Sequence, residues 1–553
     1  MKDSWFLRGK RFIRSASRPR RRAHRCYDAR MKRAWITLSL VSLCSCQASG
    51  VDAGLVAAPS PAGGAPRMEG LGHIEFPNSG PPAAQEPFVR GVLLLHSFEY
   101  EDAAEAFREA QTIAPDFALA YWGEALTNCH PIWQQEDRDA AQAVLTRLAP
   151  TPAERAARAG DARERALVES VDVLFGEGTR TERARAYCAA LAVLHARLPD
   201  DLEISALYSL SILGTATQGR DVPTYMRAAA VAEEVLERAP DHPGALHYAI
   251  HSYDDPTHAP LGLRMARRYG VVAAAAEHAL HMPSHIYVAL GMWPDSVTAN
   301  VAAAAAADAR RERKQLGVDK RGFHSLSWLE YSYLQLGEIE AAERLLADMR
   351  RDVAESGSAR TRLHLVLMRA ADVVAQQSWS SATAAFEVDT AELDPAITCA
   401  ELYVRGRHAL AGGDVEGART ALRSMGERLA PSAPSDESNK APCCATPGKG
   451  TYLPDVQAAH VIELELTGLV ALAGGSDEDG LARLAEAAAA EDAMGYDFGP
   501  PSVVEPAHEL YGYVLLERAR FADAAREFEA ALERAPGRAR SVQGLALAKK
   551  GAE

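Results

Sequence analysis

Residues 88–115 read "FVRGVLLLHSFEYEDAAEAFREAQTIAP", and this stretch decides the fold. Its second half combines small residues, one phenylalanine and a closing proline, at Ala103, Phe107, Ala110 and Pro115. The same spacing returns in "FADAAREFEAALERAP" at 521–536, while 327–346 and 402–425 each read as helix, turn and helix. Small residues let paired helices pack closely, and proline cannot continue a helix, so it ends each unit. The pattern predicts an array of helical hairpins.

The spacing is that of a tetratricopeptide repeat (TPR), whose period is 34 residues. "HYAIHSY" at 247–253 and "HMPSHIY" at 281–287 lie 34 residues apart, so they occupy the same place in consecutive repeats. Alanine is the strongest helix former, and the frequent alanine runs agree with this fold. The sequence therefore predicts an all-α TPR solenoid.

The ends of the chain differ in composition from the repeats. Met31 opens "MKRAWITLSLVSLCSC", a basic flank followed by an apolar stretch too short to span a membrane, which is typical of a signal peptide. The alternative for that apolar stretch is a buried hydrophobic strand. The predicted segments are a basic extension with signal peptide at 1–45, a Pro/Gly-rich tether at 46–70, a histidine-bearing solenoid at 71–430, a polar loop at 431–455 and a C-terminal TPR block at 456–553.

"LCSC" at 43–46 resembles the lipobox of bacterial lipoproteins. The resemblance implies that Cys46 is the lipidated first mature residue, and Gln47 in place of Asp implies no retention in the inner membrane. The expected location is the periplasmic face of the bacterial envelope, as an outer-membrane lipoprotein. The lipid anchor would be its only membrane contact.

Charge limits the class of partner. Loss of residues 1–45 would remove 13 of 60 basic and two of 74 acidic residues, which leaves a formal net charge of −25. So acidic a surface argues against nucleic acid as a partner. The cysteines beyond Cys46 include no CxxC pair and predict no disulfide pairing, and adjacent Cys443 and Cys444 lie in the polar loop.

Seven of the 17 histidines fall between residues 242 and 285. Each of the two related stretches carries a histidine pair at i, i+4, which lies on one face of a helix. His278 lies nine residues before Tyr287, and His324 lies nine before Tyr333, so the repeat register places His324 near the others. First helices line the concave face of such arrays, where the histidines should stack. The candidate metal ligands are His247, His251, His278, His281, His285 and His324, with His258 approaching from an adjacent turn.

Pro283 is expected in a first helical turn, where its missing N–H has no partner. A helix start near His281 or Met282 would place imidazoles at the positive end of the dipole and keep His278 and His281 neutral. Neutral imidazoles that converge from neighbouring helices suit Zn, Cu, Ni or Fe ions. The alternative is that they are hydrogen-bonding groups that fix the superhelix or contact a peptide.

Two functional hypotheses follow. The first is a scaffold that binds a protein or peptide in its concave groove, with a histidine cluster that holds a transition metal. The second is a metal-dependent hydrolase or oxidase that uses the same histidines, which a nearby carboxylate such as Glu330 would favour. "HYAIH" has zincin spacing but lacks the glutamate that acts as general base, so no catalytic residue is assigned.

Two further polar stretches are expected to be structural. Trp122, His130 and Trp133 fall near a helix end, where aromatic packing is the expected role. Glu505, His508 and Glu509 fall at a helix start, where Glu509 would favour the N-terminus.

Specific motifs, among them "AYWGEAL", "HYAIHSYDDPTHAP", "HALHMPSHIYVALGMW" and "GPPSVVEPAHELYG", resemble a family of bacterial exported TPR proteins. The resemblance runs from about residue 71 to 550. It implies the fold and export, and it supplies no activity. His247, His251, His278, His281 and His285 all match the family's pattern.

Overall fold

A computed structural model describes residues 70–429, 453–496 and 498–553. The predicted signal peptide, the lipidation site Cys46, nearly all of the tether, and Cys443 and Cys444 lie outside these residues. The all-α prediction is confirmed across the described ranges. Their β-structure consists of one two-stranded antiparallel pair, β1 (Cys129–His130) with β2 (Gln135–Glu136), and an isolated bridge between Thr217 and Gly219.

Helices follow one another along the chain with short connections, and a 3-10 turn at Val318–Lys320 precedes one of them. The segment 151–197, which matches the repeat poorly, is helical as expected. The helices are α1 Pro82–His96, α2 Tyr100–Ile113, α3 Ala118–Leu126, α4 Arg138–Leu148, α5 Pro152–Ala157, α6 Ala162–Leu174, α7 Arg180–Arg197, α8 Leu202–Leu213, α9 Val222–Arg238, α10 Pro243–Tyr253, α11 Ala259–Val272, α12 Glu277–His281, α13 Pro283–Ala289, α14 Trp293–Lys314, α15 Phe323–Leu336, α16 Ile339–Ser356, α17 Ala359–Gln376, α18 Ala382–Ala385, α19 Pro395–Ala411, α20 Val415–Leu429, α21 Leu453–Ala473, α22 Asp477–Asp492, α23 Ala507–Glu517, α24 Phe521–Arg534 and α25 Ala539–Ala552.

Consecutive helices pack as hairpins, and first helices of successive units pack beside one another. Phe107 on α2 shows why the repeat signature builds this arrangement. A Cβ added at Gly91 on α1 or Gly123 on α3 would lie 2.7 or 2.3 Å from its ring, so glycine lets the ring enter between two first helices. Phe528 is held in the same way, between Gly512 and Gly544.

The hydrophobic core forms two large clusters, one between Leu71 and Tyr287 and one between Phe323 and Ala507. The second cluster includes residues on both sides of the loop predicted at 431–455, and the division of the array at that loop stays a prediction. Among the described residues, one helical segment, Pro454–Ala473, is long and apolar enough to cross a membrane. Half of it is buried, and it packs against α19, α20 and α22, as a core helix does.

Both ends of the described array return to its middle. Lys314 Nζ on α14 lies 2.8 Å from Asp102 Oδ1 on α2. Near the C-terminus, Trp293 Nε1 donates to the carbonyl of Gly537 over 3.0 Å, and Arg538 Nη1 donates to the Tyr331 hydroxyl over 2.9 Å. These contacts tie α2 to α14, and the segment before α25 to α14 and α15.

Candidate metal site

The structure brings together all six histidines predicted from the repeat register. They form two groups in which the three candidate ligand atoms lie within 4.8 Å of one another. We call His247, His251 and His278 the N-terminal triplet, His281, His285 and His324 the C-terminal triplet, and all six the histidine cluster. The two triplets adjoin, since the rings of His251 and His285 are 5.2 Å apart and those of His278 and His281 are 6.0 Å apart.

Four neighbouring elements supply these side chains. His247 and His251 lie on α10, His278 and His281 on α12, His285 on α13 and His324 on α15. Pro283 is the first residue of α13, as predicted. Met282 keeps right-handed helical backbone angles between α12 and α13, so the break is slight, and His278 and His281 precede the helix start that was expected to hold them.

Most of the cluster is buried rather than exposed on an open concave face. His247 is 0% exposed, and His251, His281 and His285 are each 1% exposed. His278 and His324, one in each triplet, are partly exposed. Each triplet therefore consists of two buried imidazoles and one that reaches toward the surface.

The Nδ1 atoms of the buried histidines have acceptors in the chain. His247 Nδ1 lies 2.7 Å from the carbonyl oxygen of His96, and His285 Nδ1 lies 2.9 Å from Asp254 Oδ2. His281 Nδ1 lies 2.6 Å from Asn300 Oδ1; because the Asn300 amide nitrogen donates to the Ser296 carbonyl, that oxygen is the acceptor. His251 Nδ1 faces Asp254 at 3.4 Å. Each imidazole therefore carries its proton on Nδ1 and has a lone pair on Nε2.

Those lone pairs have no partner in the described chain at three of the four positions. Nε2 of His251, His281 and His285 is buried without a hydrogen bond. Nε2 of His247 lies 3.2 Å from Nε2 of His278. Two nitrogens on one tetrahedral metal, with bonds of about 2.0–2.1 Å, lie about 3.3 Å apart, so this spacing suits a shared ion.

Burial lowers the pKa of every histidine in the cluster. For His247, His251, His278, His285 and His324 the pKa falls well below the usual value, first because burial disfavours the charged form and then because neighbouring histidines oppose a second charge. Burial lowers the pKa of His281 to about 4. The expected neutrality is therefore present, but its main cause is burial and not the helix dipole.

Aromatic rings enclose the cluster on several sides. Phe98, in the turn between α1 and α2, lies 4.2 Å from the His247 ring. Its φ of +57° is in the left-handed region, which non-glycine residues seldom adopt and which often marks a functional site. The Trp328 ring lies 4.5 Å from the His285 ring, and Phe498 stacks on His285 at 5.0 Å. Trp133 lies 5.7 Å from the His278 ring. The rings cover the buried members of the cluster, while His278 and His324 stay partly exposed.

Carboxylates contribute little free negative charge to the site. Asp254, which bonds His285, is ion-paired with Arg220. Arg220 also reaches Asp255, which holds His258 through its Nδ1 at 2.9 Å, so His258 belongs to that turn. Glu330 is fully buried and shares no group of candidate ligand atoms with the histidines. Burial raises the pKa of Glu330 well above its usual range, so it is a neutral acid.

The other residues singled out from the sequence have structural partners. His130 stacks on Tyr100 at 4.0 Å, and Trp122 is fully buried beside Phe76. Glu509 bonds Arg538 and Arg540 and lies in the core, a stronger interaction than the helix-start role expected for it. His508 bonds Glu527 and Asp492.

The acceptors of the Nδ1 protons and the aromatic rings that cover the cluster were not predicted from the sequence. Asp254 follows His251 by three residues, a helical spacing that could have pointed to the pair. Asn300 and Phe498 carry no local signal, because they lie 19 and 213 residues from the histidines that they contact, His281 and His285.

No protein-family model and no curated protein matches the chain. Solved helical-repeat structures are similar over most of its length at low identity. The Cut9–Hcn1 hetero-tetramer of the APC/C is 11% identical with a TM-score of 0.36, covering 85% of this chain and 76% of that chain. The human IFIT1 dimer with PPP-AAAA is 11% identical with a TM-score of 0.36, covering 84% and 89%. Yeast Tom70 is 10% identical with a TM-score of 0.31, covering 85% and 95%.

Proposed function

We propose that the protein is a helical-repeat scaffold that binds transition-metal ions in the histidine cluster. One observation carries this proposal. Nε2 of His251, His281 and His285 is buried without a partner, while Nδ1 of the same rings faces an acceptor. An acceptor on the far nitrogen is what orients and strengthens a metal-ligating imidazole.

The cost of burying unpartnered nitrogens favours a metal-ligand role of the histidines over a purely structural one. A buried polar atom without a partner costs about 1–3 kcal/mol, and the cluster concentrates three such atoms in one place. A role in fixing the superhelix would use both nitrogens of each ring in hydrogen bonds. Coordination to a metal uses the lone pairs that the fold leaves bare.

Borderline-soft divalent and monovalent ions fit this set, because imidazole nitrogen suits Zn, Cu, Ni and Fe. Hard ions such as Mg²⁺ or Ca²⁺ require oxygen ligands, and the nearest carboxylate, Asp254, is engaged by Arg220. Glu330 is neutral and outside the cluster, so it does not favour the enzymatic alternative.

The proposal is tested by metal analysis of the full chain. Protein expressed without an affinity tag of histidines is expected to contain a transition metal and, after chelation, to bind it again in calorimetry. His285→Gln should lower the affinity at least 10-fold, because loss of even the hydrogen-bond partner of a metal ligand typically costs about 10–100-fold. The matched control is His460→Gln, because His460 is 55% exposed and lies on α21, which carries no member of the cluster. Metal-free protein that shows no binding, or equal binding by the two variants, contradicts the proposal.

The anchor and the partner are parts of the same proposal. A lipidated Cys46 would hold the scaffold on the periplasmic side of the outer membrane, and palmitate labelling of the wild type but not of Cys46→Ala is the expected result. Equal labelling would remove the anchor. A protein or peptide is the proposed partner, in the groove of first helices outside the covered histidine cluster, because the acidic surface disfavours nucleic acid. A basic peptide library that yields no binder by calorimetry would contradict it.

A further inference from the structure

The two triplets are copies of one motif in consecutive repeats. Each combines a histidine pair at i, i+4 with the histidine nine residues before the aromatic core position of the next unit. The N-terminal triplet joins α10 to α12, and the C-terminal triplet joins α12 and α13 to α15. From this duplication, and resting on the proposed function, we infer that the histidine cluster holds two metal ions side by side, one in each triplet, and that they are monovalent copper.

The repeat register contains two complete copies of the three-histidine motif, and neither flanking repeat completes a third. The position nine residues before Tyr253 is Gly244, so the repeat before lacks the joining histidine. In the repeat after, the pair positions before Tyr333 are occupied by Ser327 and Tyr331. Histidine therefore occupies the motif positions of two complete three-ligand sites, and the corresponding positions of the flanking repeats hold other residues. A general enrichment in histidine would not produce this pattern.

Distances separate the cluster into two sites. Within the described residues, each group of mutually close ligand atoms stops at three histidines, with 4.8 Å as the limit. Opposite ligands of one six-coordinate ion, with bonds of about 2.0–2.1 Å, are only about 4.2 Å apart, so a single ion would need all six within that limit. Asp254 faces His251 of one triplet and His285 of the other, and so holds the two sites next to each other.

Charge selects the ion. The ligands are six neutral imidazoles, and Asp254, the carboxylate that touches them, is paired with Arg220. The cost of placing an ion in a medium of low dielectric rises with the square of its charge, so two divalent ions are opposed far more strongly than two monovalent ones. Cu(I) accepts two or three nitrogen ligands without a further anion. A pair of Cu(I) ions therefore fits the number of ligands and the surrounding charge.

The experiment is an anaerobic Cu(I) titration of the metal-free full chain against the chelator bathocuproine disulfonate. Two Cu(I) per chain are expected for the wild type. His278→Gln and His324→Gln each remove the partly exposed member of one triplet and leave two ligands, so each should weaken one site until its Cu(I) passes to the chelator. One tightly held Cu(I) should then remain in each single variant, and the double variant should lose both to the chelator. His460→Gln should keep two.

The outcomes distinguish this inference from the proposed function. One ion per chain in the wild type, or loss of all copper in either single variant, overturns the paired site and leaves metal binding intact. Tighter binding of Zn²⁺ than of Cu(I) overturns the choice of ion. No binding of any metal overturns both. If the variants fail to fold by circular dichroism, X-ray absorption on the loaded wild type decides, because three nitrogen neighbours per copper are expected and five or six would contradict the inference.

Discussion

The molecule contains two buried groups of histidines, and they differ in what their nitrogens meet. In the group formed by His96, Glu203 and His242, each imidazole donates toward one carboxylate oxygen, at 2.8 and 2.9 Å. His96 Nδ1 also meets the Tyr248 hydroxyl, and His242 Nδ1 accepts the backbone N–H of Ala245. In the histidine cluster, by contrast, three Nε2 atoms have no hydrogen-bond partner within the described chain.

Burial and ligand spacing therefore do not by themselves make a metal site. Both groups satisfy the distance criterion for candidate ligands. Burial raises the pKa of Glu203, but the two imidazoles outweigh it and lower that pKa well below its usual range, so a carboxylate anion completes the first group from within the chain. The histidine cluster lacks such an internal partner, and its lone pairs remain available.

The largest expected effect is acid destabilisation of the metal-free protein through the histidine cluster. The folded pKa values lie below the ordinary value near 6.5, to about 4 for His281, so between these limits the unfolded chain binds protons that the folded chain does not. Stability should therefore fall as pH drops from about 6.5 toward 4, by up to about 1.4 kcal/mol per pH unit for each histidine. Urea unfolding at several pH values measures the slope.

A double variant provides the check on this slope. In His281→Gln/His285→Gln two of the six titrating groups are removed, so the pH dependence should become shallower by up to about 2.7 kcal/mol per pH unit. An unchanged slope would show that the acid response arises elsewhere in the molecule.

Breaking the partnered group should cost stability without changing metal content. Glu203→Ala leaves the N–H groups of His96 and His242 buried without an acceptor, and removal of one member of a buried charged network costs about 3–5 kcal/mol. Glu203→Gln keeps an acceptor oxygen and should cost less. Chemical denaturation and metal analysis test this together, and a loss of bound metal in Glu203→Ala would end the contrast between the two groups.

A substitution at Gly499 should displace the loop that packs on Trp328, one of the rings that cover the histidine cluster. This glycine has a φ of +91°, and an added Cβ would lie 2.1 Å from the Trp328 ring. Gly499→Ala should cost about 1–3 kcal/mol and speed metal release, because the loop must move from the ring that covers the cluster. Gly475→Ala is the matched control, since its φ is +83° but nothing lies within 4 Å. Equal release rates in the two variants would contradict a covering role.

The smallest effect is expected at His508, whose behaviour is opposite to that of the cluster. Burial lowers its pKa, but Glu527 and Asp492 outweigh burial and raise it. Its contribution to stability is therefore full below about pH 6.5 and is lost as pH rises through the raised pKa. The pH-dependent part of the cost of His508→Gln should be less than about 1 kcal/mol, because its partner carboxylates are partly exposed, and it should vanish as pH rises through the raised pKa. If the loss of stability in His508→Gln grows as pH rises, the raised pKa of His508 is contradicted.

How much of the site follows from the sequence depends on the range of the interaction. His324 could be placed beside His281 because it precedes Tyr333 by nine residues, as His278 precedes Tyr287, and the rings of His281 and His324 are 4.6 Å apart. Phe98 and Phe498 could not be placed, because they reach the cluster from the two ends of the array. Repeat periodicity specifies contacts between neighbouring units and carries no information on contacts between distant ones.

The sequence by itself determined the all-α repeat fold and which six histidines come together, because both depend on local helical spacing and a regular period. Only the tertiary structure decided that the cluster is buried, since the turn at Phe98 and the segment at Phe498 cover a face that the repeats alone would leave open. It also decided the chemistry of the rings. Asp254 and Asn300 take the Nδ1 protons, nothing in the described chain takes the lone pairs of three Nε2 atoms, and burial keeps the imidazoles neutral.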